Sequence, residues 1–178
     1  ELKKFLENMN QEDISSKFEV FYFTYLQKKE NSEKKIKINN DTMHQSKLLN
    51  YFNGDYAKPK IEKDVNNFLK KIKKNKKYFF SKKDIIFIES LKSDGVKIAK
   101  KYDNLYEVNE TEIPTDIQVM INNDEKGAAL LRIVEVIGQD DLEKMDEDTL
   151  YFIITTLNRL DIDLIRNRIL LKVLPLKV

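Results

Sequence analysis

The chain has 178 residues, and its 32 basic side chains nearly balance 30 acidic ones, which leaves a formal net charge of +2. Because cysteine is absent, a disulfide framework, a zinc–thiolate site and a cysteine nucleophile are excluded. The longest apolar runs, such as residues 150–157, fall far short of the roughly 20 residues that a membrane-spanning helix needs. The sequence therefore predicts no membrane span.

The N-terminal part of the chain has the apolar spacing of helices. Apolar residues recur at every third or fourth position in residues 2–9 and again in residues 14–26, which predicts two helices. Residues 27–40 are polar and rich in lysine and asparagine, which predicts a loop.

A third helix is predicted to begin at Asp41 or Thr42. Either side chain can serve as an N-cap, and Gln45, three residues after Thr42, would complete a capping box. The helix would end at the turn formed by Asn53 and Gly54.

Two lysine-rich helices are predicted next. Pro59 suits the first turn of a helix, since its missing N–H group has no partner there. Ser81 and Asp84 then indicate a new helix start, and that helix would end at Asp94 and Gly95. The inward-facing residues are predicted to be Ile61, Val65, Phe68, Leu69 and Ile72 in the first helix, and Ile85, Ile86, Ile88 and Leu91 in the second.

The C-terminal third begins with two short predicted helices. Residues 116–122 form a helix after Pro114, and residues 127–137 form another with Gly138 as its C-cap. Together with the helices before them, these segments predict an all-α protein.

The last two predicted helices form a hairpin. Asp146 or Asp148 begins the first of them, and a break at residues 161–163 separates it from the second, which ends before Pro175. This isoleucine- and leucine-rich hairpin is expected to be the best-packed part of the protein.

An internal similarity links two segments of the chain. Residues 84–106 and 150–174 each have the pattern of a helix, a tight break and a second helix, and Leu91 aligns with Leu157. Such αα-hairpins, spread over residues 81–174, resemble the tetratricopeptide-like helical-repeat solenoids. The resemblance implies a stack of antiparallel helical hairpins, that is, an α-solenoid. An irregular helical bundle explains the same pattern, and both arrangements stay open.

A single helical domain over residues 1–178 is predicted, either whole or as part of a longer helical array. The chain begins at Glu1 without a basic and then apolar leader, so no signal peptide is visible, although a processed or truncated start would look the same. The sequence therefore assigns no compartment.

Charge is distributed unevenly along the chain. Residues 58–83 hold eleven lysines and two carboxylates, whereas residues 103–148 hold fourteen carboxylates and three basic side chains. The lysines would form one solvated face, paired loosely with the acidic segment of the same chain, or they would bind an acidic partner. The same lysines, followed by Tyr78, Phe79 and Phe80, also suit phosphate contact and base stacking.

Two observations weigh against nucleic acid as the preferred partner. All the cations of the basic segment are lysines, whereas base recognition and bidentate phosphate contacts favour arginine. Phe79 and Phe80 are expected to be core residues at a helix end, not stacking platforms.

Candidate binding residues follow from this charge pattern. The basic residues predicted to bind a partner are Lys70, Lys71, Lys73, Lys74, Lys76 and Lys77. The acidic residues predicted to bind a partner are Asp140, Asp141, Glu143, Asp146 and Glu147.

The sequence assigns no catalytic, metal-binding or cofactor-binding residue. His44 is the only histidine, and its position just after a predicted N-cap favours an exposed or half-packed residue over a member of a catalytic triad. Carboxylates such as Asp140 and Asp141 stand beside helix N-termini, where capping accounts for them without catalysis. No glycine-rich phosphate loop is present.

The sequence therefore predicts a non-catalytic interaction or scaffold module. It would bind a protein through the lysine-rich and acidic segments, and contact between these segments of neighbouring copies would let it self-associate. Binding of nucleic acid or another polyanion through residues 70–80 is the alternative. An enzyme that acts on a polymer from a helical superhelix is a third, less favoured, hypothesis.

Overall fold

The described part of the protein is helical. The computed structural model describes residues 37–75, 77–106, 113–138 and 141–175. Within these ranges there are six α-helices and four 3-10 segments and no β-strand, so the prediction of an all-α fold is confirmed. The helices predicted over residues 2–9 and 14–26, and most of the predicted loop 27–40, lie outside the described residues.

The α-helices are numbered in chain order. They are α1 (Lys58–Lys74), α2 (Lys82–Ser93), α3 (Thr115–Asn122), α4 (Lys126–Ile137), α5 (Glu147–Arg159) and α6 (Asp163–Val173). The 3-10 segments are Met43–Gln45, Lys47–Tyr51, Lys100–Leu105 and Leu142–Lys144.

Several helix ends lie where local sequence signals predict them. Ser81 caps α2 in a full capping box, since its hydroxyl accepts from the backbone N–H of Asp84 while the Asp84 carboxylate accepts from the backbone N–H of Ser81. Asp146 caps α5 without a capping box, with its side chain accepting from the backbone N–H groups of Asp148 and Thr149. Gly138 ends α4 with a φ of +58°, a backbone conformation that residues with a Cβ atom rarely adopt.

The helix predicted from Asp41 or Thr42 to the Gly54 turn is wrong. Two short 3-10 segments occupy this stretch, and the Thr42 side chain makes no cap hydrogen bond. Ser46 separates the two segments because its backbone is extended and its hydroxyl donates to the Met43 carbonyl and accepts from the Leu48 amide. A serine that bonds its own neighbours in this way offers the backbone an alternative to an α-helix.

The core is built around α2 and α5. These two helices pack directly against each other, α6 packs on α5, and α1 packs on the 3-10 segments Lys47–Tyr51 and Lys100–Leu105. In α2, Ile86, Phe87, Ile88 and Leu91 are all nearly inaccessible. Burial of such aliphatic and aromatic side chains contributes about 1.5–3 kcal/mol each, which makes this pair the centre of stability.

The two segments with similar sequence patterns fold differently. α5 and α6 form the predicted hairpin, with a turn in which Asp161 has a φ of +55°. α2, however, is followed by irregular backbone at residues 96–99 and then by the 3-10 segment Lys100–Leu105, so the helical run predicted from residue 96 is wrong. A solenoid of stacked hairpins therefore stays a prediction.

The charged side chain of Arg166 is fully buried beside the core. Arg166 of α6 pairs with Asp94 at 2.6 Å and with Asp163 at 2.9 Å, and it donates to Asn158 at 3.1 Å. Its guanidinium also lies 5.8 Å from the centroid of the Phe52 ring. These contacts join α6 to the C-terminal end of α2 and to the segment before α1.

Candidate interaction surface

The lysines of α1 lie on its solvent side because the opposite side belongs to the core. Ile61, Val65, Leu69 and Ile72 are buried and recur at helical spacing, which directs most of the lysines of this helix outward. The predicted binding residues Lys70, Lys71, Lys73 and Lys74, and Lys77 beyond the helix, are all exposed. Lys76 lies outside the described residues.

These lysines are not neutralised by the rest of the described chain. Within the described ranges, no lysine of α1 has a carboxylate within 4.0 Å. Three of them, Lys71, Lys73 and Lys74, occupy the last helical turn, where the helix macrodipole favours positive charge. The helix therefore tolerates a local concentration of cations without internal ion pairs.

The segment that carries Lys97 and Lys101 lies beside α1. Glu62 and Asn66 of α1 hold the segment 96–99 through hydrogen bonds to its backbone: the Lys97 amide donates to Glu62 Oε1 at 3.0 Å, and the Ala99 amide donates to Asn66 Oδ1 at 2.9 Å. The Asn66 side chain also donates to the Lys97 carbonyl at 3.0 Å. This clamp brings a separate part of the chain against α1.

The clamp forms an open groove of about 420 Å³ between α1 and the segment that follows α2. We call it the basic groove, because Lys70, Lys97 and Lys101 line it together with Asn67 and Tyr102. The sequence alone does not predict Lys97 and Lys101 at this groove. Their approach to α1 depends on the hydrogen bonds that Glu62 and Asn66 accept from a distant part of the chain, and such bonds produce no pattern in the local sequence.

Lys73 connects the basic groove to the next part of the surface. Its ammonium donates to the Lys101 carbonyl at 3.4 Å and lies 5.9 Å from the centroid of the Tyr102 ring. The Lys101 ammonium lies 5.1 Å from the same ring. Such cation–π contacts contribute about 0.5–1 kcal/mol at exposed sites. Lys73 also lines a neighbouring groove of about 460 Å³ that Phe79 and Tyr106 border.

Phe79 is 88% exposed, so the expectation that it belongs to the core is wrong. Its neighbours explain the exposure. Tyr78 is anchored by its hydroxyl, which donates to Asp84 Oδ2 at 2.9 Å and accepts from the Met43 amide at 3.0 Å. Phe80 packs against the core, with its ring centroid 5.3 Å from Tyr78 and 6.0 Å from Tyr106. With both neighbours directed inward, Phe79 is directed outward.

The predicted acidic binding residues are partly occupied by structural roles. Asp146 caps α5, and its hydrogen bonds from Thr149 hold its pKa below the ordinary value. Asp141 pairs with Lys172 at 4.0 Å and has a further contact, while Glu147 is exposed in the first turn of α5. Asp140 and the side chain of Glu143 lie outside the described residues.

The lysine-rich and acidic segments meet in the described part of the chain at an ion pair between Lys82 and Asp148. This pair joins the N-terminal turns of α2 and α5. Both residues are at least partly exposed, and exposed pairs contribute only about 0–1 kcal/mol. The segments therefore do not neutralise each other along their length within the described residues.

His44 is 5% exposed, so the expectation of an exposed or half-packed residue is wrong. Its Nδ1 lies 2.7 Å from Asp84 Oδ1, and its backbone N–H donates to the same oxygen at 3.1 Å. Ser81 Oγ is 3.5 Å from the same ring nitrogen that faces Asp84. A catalytic triad needs the serine and the aspartate on opposite nitrogens of the ring, so these three side chains lack triad geometry.

The cluster around Asp84 instead joins three parts of the chain. Burial acts to raise the pKa of the Asp84 carboxyl, but the hydrogen bond and charge of His44 and the backbone N–H groups of His44 and Ser81 more than offset it, and the pKa is lowered. The carboxylate thus holds the 3-10 segment Met43–Gln45, the start of α2 and Tyr78 together.

Neither metal-binding clusters nor spanning helices were found among the described residues. No group of three or more histidine, aspartate or glutamate side chains there is placed to hold a metal ion. No helix in the same ranges has the length and apolar character to cross a membrane.

Comparison with known proteins gives no family for this chain. No family model, no curated protein and no solved structure matches it. The function of the surface is therefore argued from its geometry and charge.

Proposed function

We propose that the protein is a non-catalytic interaction module that binds an acidic partner through the lysine face. The lysine face comprises Lys70, Lys71, Lys73, Lys74 and Lys77 together with Lys97 and Lys101. The observation that carries the proposal is the lack of any carboxylate within 4.0 Å of the lysines of α1 in the described structure. An exposed cluster of one sign of charge attracts and orients a partner of the opposite sign.

Binding proceeds in two stages in this proposal. The lysine face raises the rate of encounter with an acidic partner, and this effect weakens with salt because exposed charges are screened beyond about 8–10 Å. Apolar and aromatic side chains at the surface, Phe79 foremost among them, then hold the partner in place.

The acidic segment provides a second contact in the same proposal. Glu147 and Asp141 are exposed on the side of α5 and α6, so the lysine face of one copy can meet the acidic segment of the next. Such head-to-tail contact joins two different surfaces, and it forms either a ring or an open filament. Self-association would appear as a mass that rises with protein concentration and falls with salt.

A protein and a nucleic acid are both acidic partners that suit the lysine face, and the exposure of Phe79 favours nucleic acid. Grooves that bind single strands combine cations with aromatic rings on which bases stack. Phe79 has the required exposure and follows five exposed lysines of the lysine face closely in sequence.

The proposal is tested with two variants that make the same change of net charge at different places on the surface. The test variant replaces Lys70, Lys73 and Lys101 with glutamine, and the matched control replaces Lys126, Lys144 and Lys172. Each variant loses three positive charges, so net charge alone cannot distinguish them. The immobilised proteins are exposed to cell lysate at low and high salt, with and without nuclease, and bound material is identified.

The expected result is that the test variant loses its bound material while the control retains it. Protein that stays bound after nuclease treatment would identify a protein partner, and material that disappears with nuclease would identify nucleic acid. Equal capture by both variants would contradict the proposal, because binding would then depend on total charge and not on the lysine face.

A further inference from the structure

We infer that the acidic partner of the lysine face is a single-stranded nucleic acid, with a base stacked on Phe79 and phosphates along the neighbouring lysines. The inference rests on the proposed function, because it names the partner of the same surface. The inference also reverses the preference for a protein partner over nucleic acid that the sequence indicates. That preference depends in part on Phe79 being a core residue, and Phe79 is exposed.

The exposure of Phe79 is built into the fold. A phenyl ring that is 88% exposed loses the stabilisation of about 1.5–3 kcal/mol that burial would provide. The hydrogen bonds of Tyr78 to Asp84 and Met43, and the packing of Phe80 on Tyr106, fix the backbone on both sides of it. The ring is therefore presented on an anchored segment, which limits the conformational entropy that a ligand must overcome.

A path for phosphates leads from the basic groove to this ring. Lys70, Lys97 and Lys101 line the basic groove, and Lys73 contacts the Lys101 carbonyl at 3.4 Å while also lining the groove that Phe79 borders. Asn104 lines that second groove as well and adds an amide to it. Proteins bind single strands with this arrangement, in which a row of cations contacts the phosphates and an aromatic ring stacks on a base.

Single strands fit this surface better than duplexes do. The lysine face contains no arginine, so it lacks the planar fork that reads guanine in a major groove. Lysines contact phosphates as point charges, and a phenyl ring stacks on any base whose face is free. Base faces are free in single strands and covered in duplexes, so we expect binding that tolerates sequence and prefers single strands.

The test is fluorescence anisotropy with a labelled single-stranded oligouridine of about 12 nucleotides, a length within the range that single-strand sites cover. Unlabelled duplex of the same length and polyglutamate serve as competitors. The variants are Phe79→Ala, Phe79→Tyr, which keeps an aromatic ring, and Leu164→Ala. Leu164 is a matched control because it is another exposed apolar residue, 58% exposed, on α6.

At about 0.15 M salt, Phe79→Ala is expected to weaken oligouridine binding about 5- to 150-fold, the range found when one stacked base is lost. Phe79→Tyr and Leu164→Ala should bind as the unaltered protein does. Replacement of Lys73, Lys74 and Lys77 with glutamine should reduce the slope of log affinity against log salt by about 2, since each phosphate contact on a single strand contributes about 0.7. Phe79→Ala should leave that slope unchanged.

The outcomes separate this inference from the proposed function. Binding of polyglutamate but not oligouridine, or oligouridine binding that Phe79→Ala does not weaken, would overturn the inference while the acidic-partner proposal stands. If the variant with glutamine at Lys73, Lys74 and Lys77 binds both oligouridine and polyglutamate as tightly as the unaltered protein does, the inference and the proposed function are both overturned. Thermal unfolding of each variant by circular dichroism guards against loss of fold, and Phe79→Ala should unfold as the unaltered protein does because the ring is exposed.

Discussion

The strongest stability prediction concerns the buried carboxylate of Asp84. It accepts hydrogen bonds from His44 Nδ1 at 2.7 Å, the His44 backbone N–H at 3.1 Å, the Tyr78 hydroxyl at 2.9 Å and the Ser81 backbone N–H at 3.2 Å. We expect Asp84→Ala to leave all four groups without this acceptor in a site closed to water.

The magnitude follows from these contacts. A hydrogen bond to a charged group contributes about 1.5–3 kcal/mol, but four bonds to one carboxylate are not additive. Removal of one partner from a buried charged pair costs about 3–5 kcal/mol, and we expect Asp84→Ala to lower the free energy of unfolding by an amount in that range. Asp148→Ala is the matched control. It removes an aspartate from the first turn of α5 whose ion pair with Lys82 is exposed, and it should cost no more than about 1 kcal/mol.

The measurement is urea unfolding followed by far-UV circular dichroism. A loss for Asp84→Ala that is no larger than the loss for Asp148→Ala would refute the reasoning, because the buried hydrogen bonds would then contribute no more than an exposed ion pair.

The pH dependence gives an independent check on Asp84. Its pKa in the folded protein lies below the ordinary value of 3.8, since burial raises it less than the hydrogen bonds and charge of His44 lower it. A carboxyl with a lowered folded-state pKa stabilises the protein fully above its unfolded pKa and loses that effect as the pH falls through the folded value. The stability difference between the unaltered protein and Asp84→Ala should therefore stay constant from neutral pH to about pH 4 and shrink below it. A difference that grows below pH 4 would contradict the assigned direction.

Three further substitutions test the fold. Arg166→Ala should cost about 3–5 kcal/mol in urea unfolding, because Asp94 loses its partner at 2.6 Å; a cost under about 1 kcal/mol would show that the pair is dispensable. Ser81→Ala should cost about 1 kcal/mol by the same assay through loss of the capping box, whereas Ser93→Ala, which removes only an exposed 3.4 Å hydrogen bond to the Asn158 carbonyl, should cost less. Gly138→Ala should lower the thermal midpoint, at a cost of about 1–3 kcal/mol, because its φ of +58° disfavours a Cβ atom; an unchanged midpoint would contradict this.

The start of α2, the end of α4 and the start of α5 were predictable because their causes are local. The capping side chains of Ser81 and Asp146 and the positive φ of Gly138 act within a few residues of the helix ends that they define. The apolar spacing of α1 and α5 likewise predicted which side of each helix is buried.

The candidate surface was only half predictable. The lysines of α1 were predicted from composition and helical spacing, and they are exposed as that spacing requires. Lys97 and Lys101 could not be placed beside them, because the clamp of Glu62 and Asn66 joins residues more than thirty positions apart.

Residue type and short-range spacing are enough to predict the all-α class, the caps of α2 and α5, and the split of charge between residues 58–83 and 103–148. Contacts between distant parts of the chain, in contrast, bury His44, forty residues from its partner Asp84, and direct Phe79 outward. Both outcomes have the same cause. A polar group enters the core, or a ring is kept out of it, according to the hydrogen bonds and packing that distant parts of the chain supply.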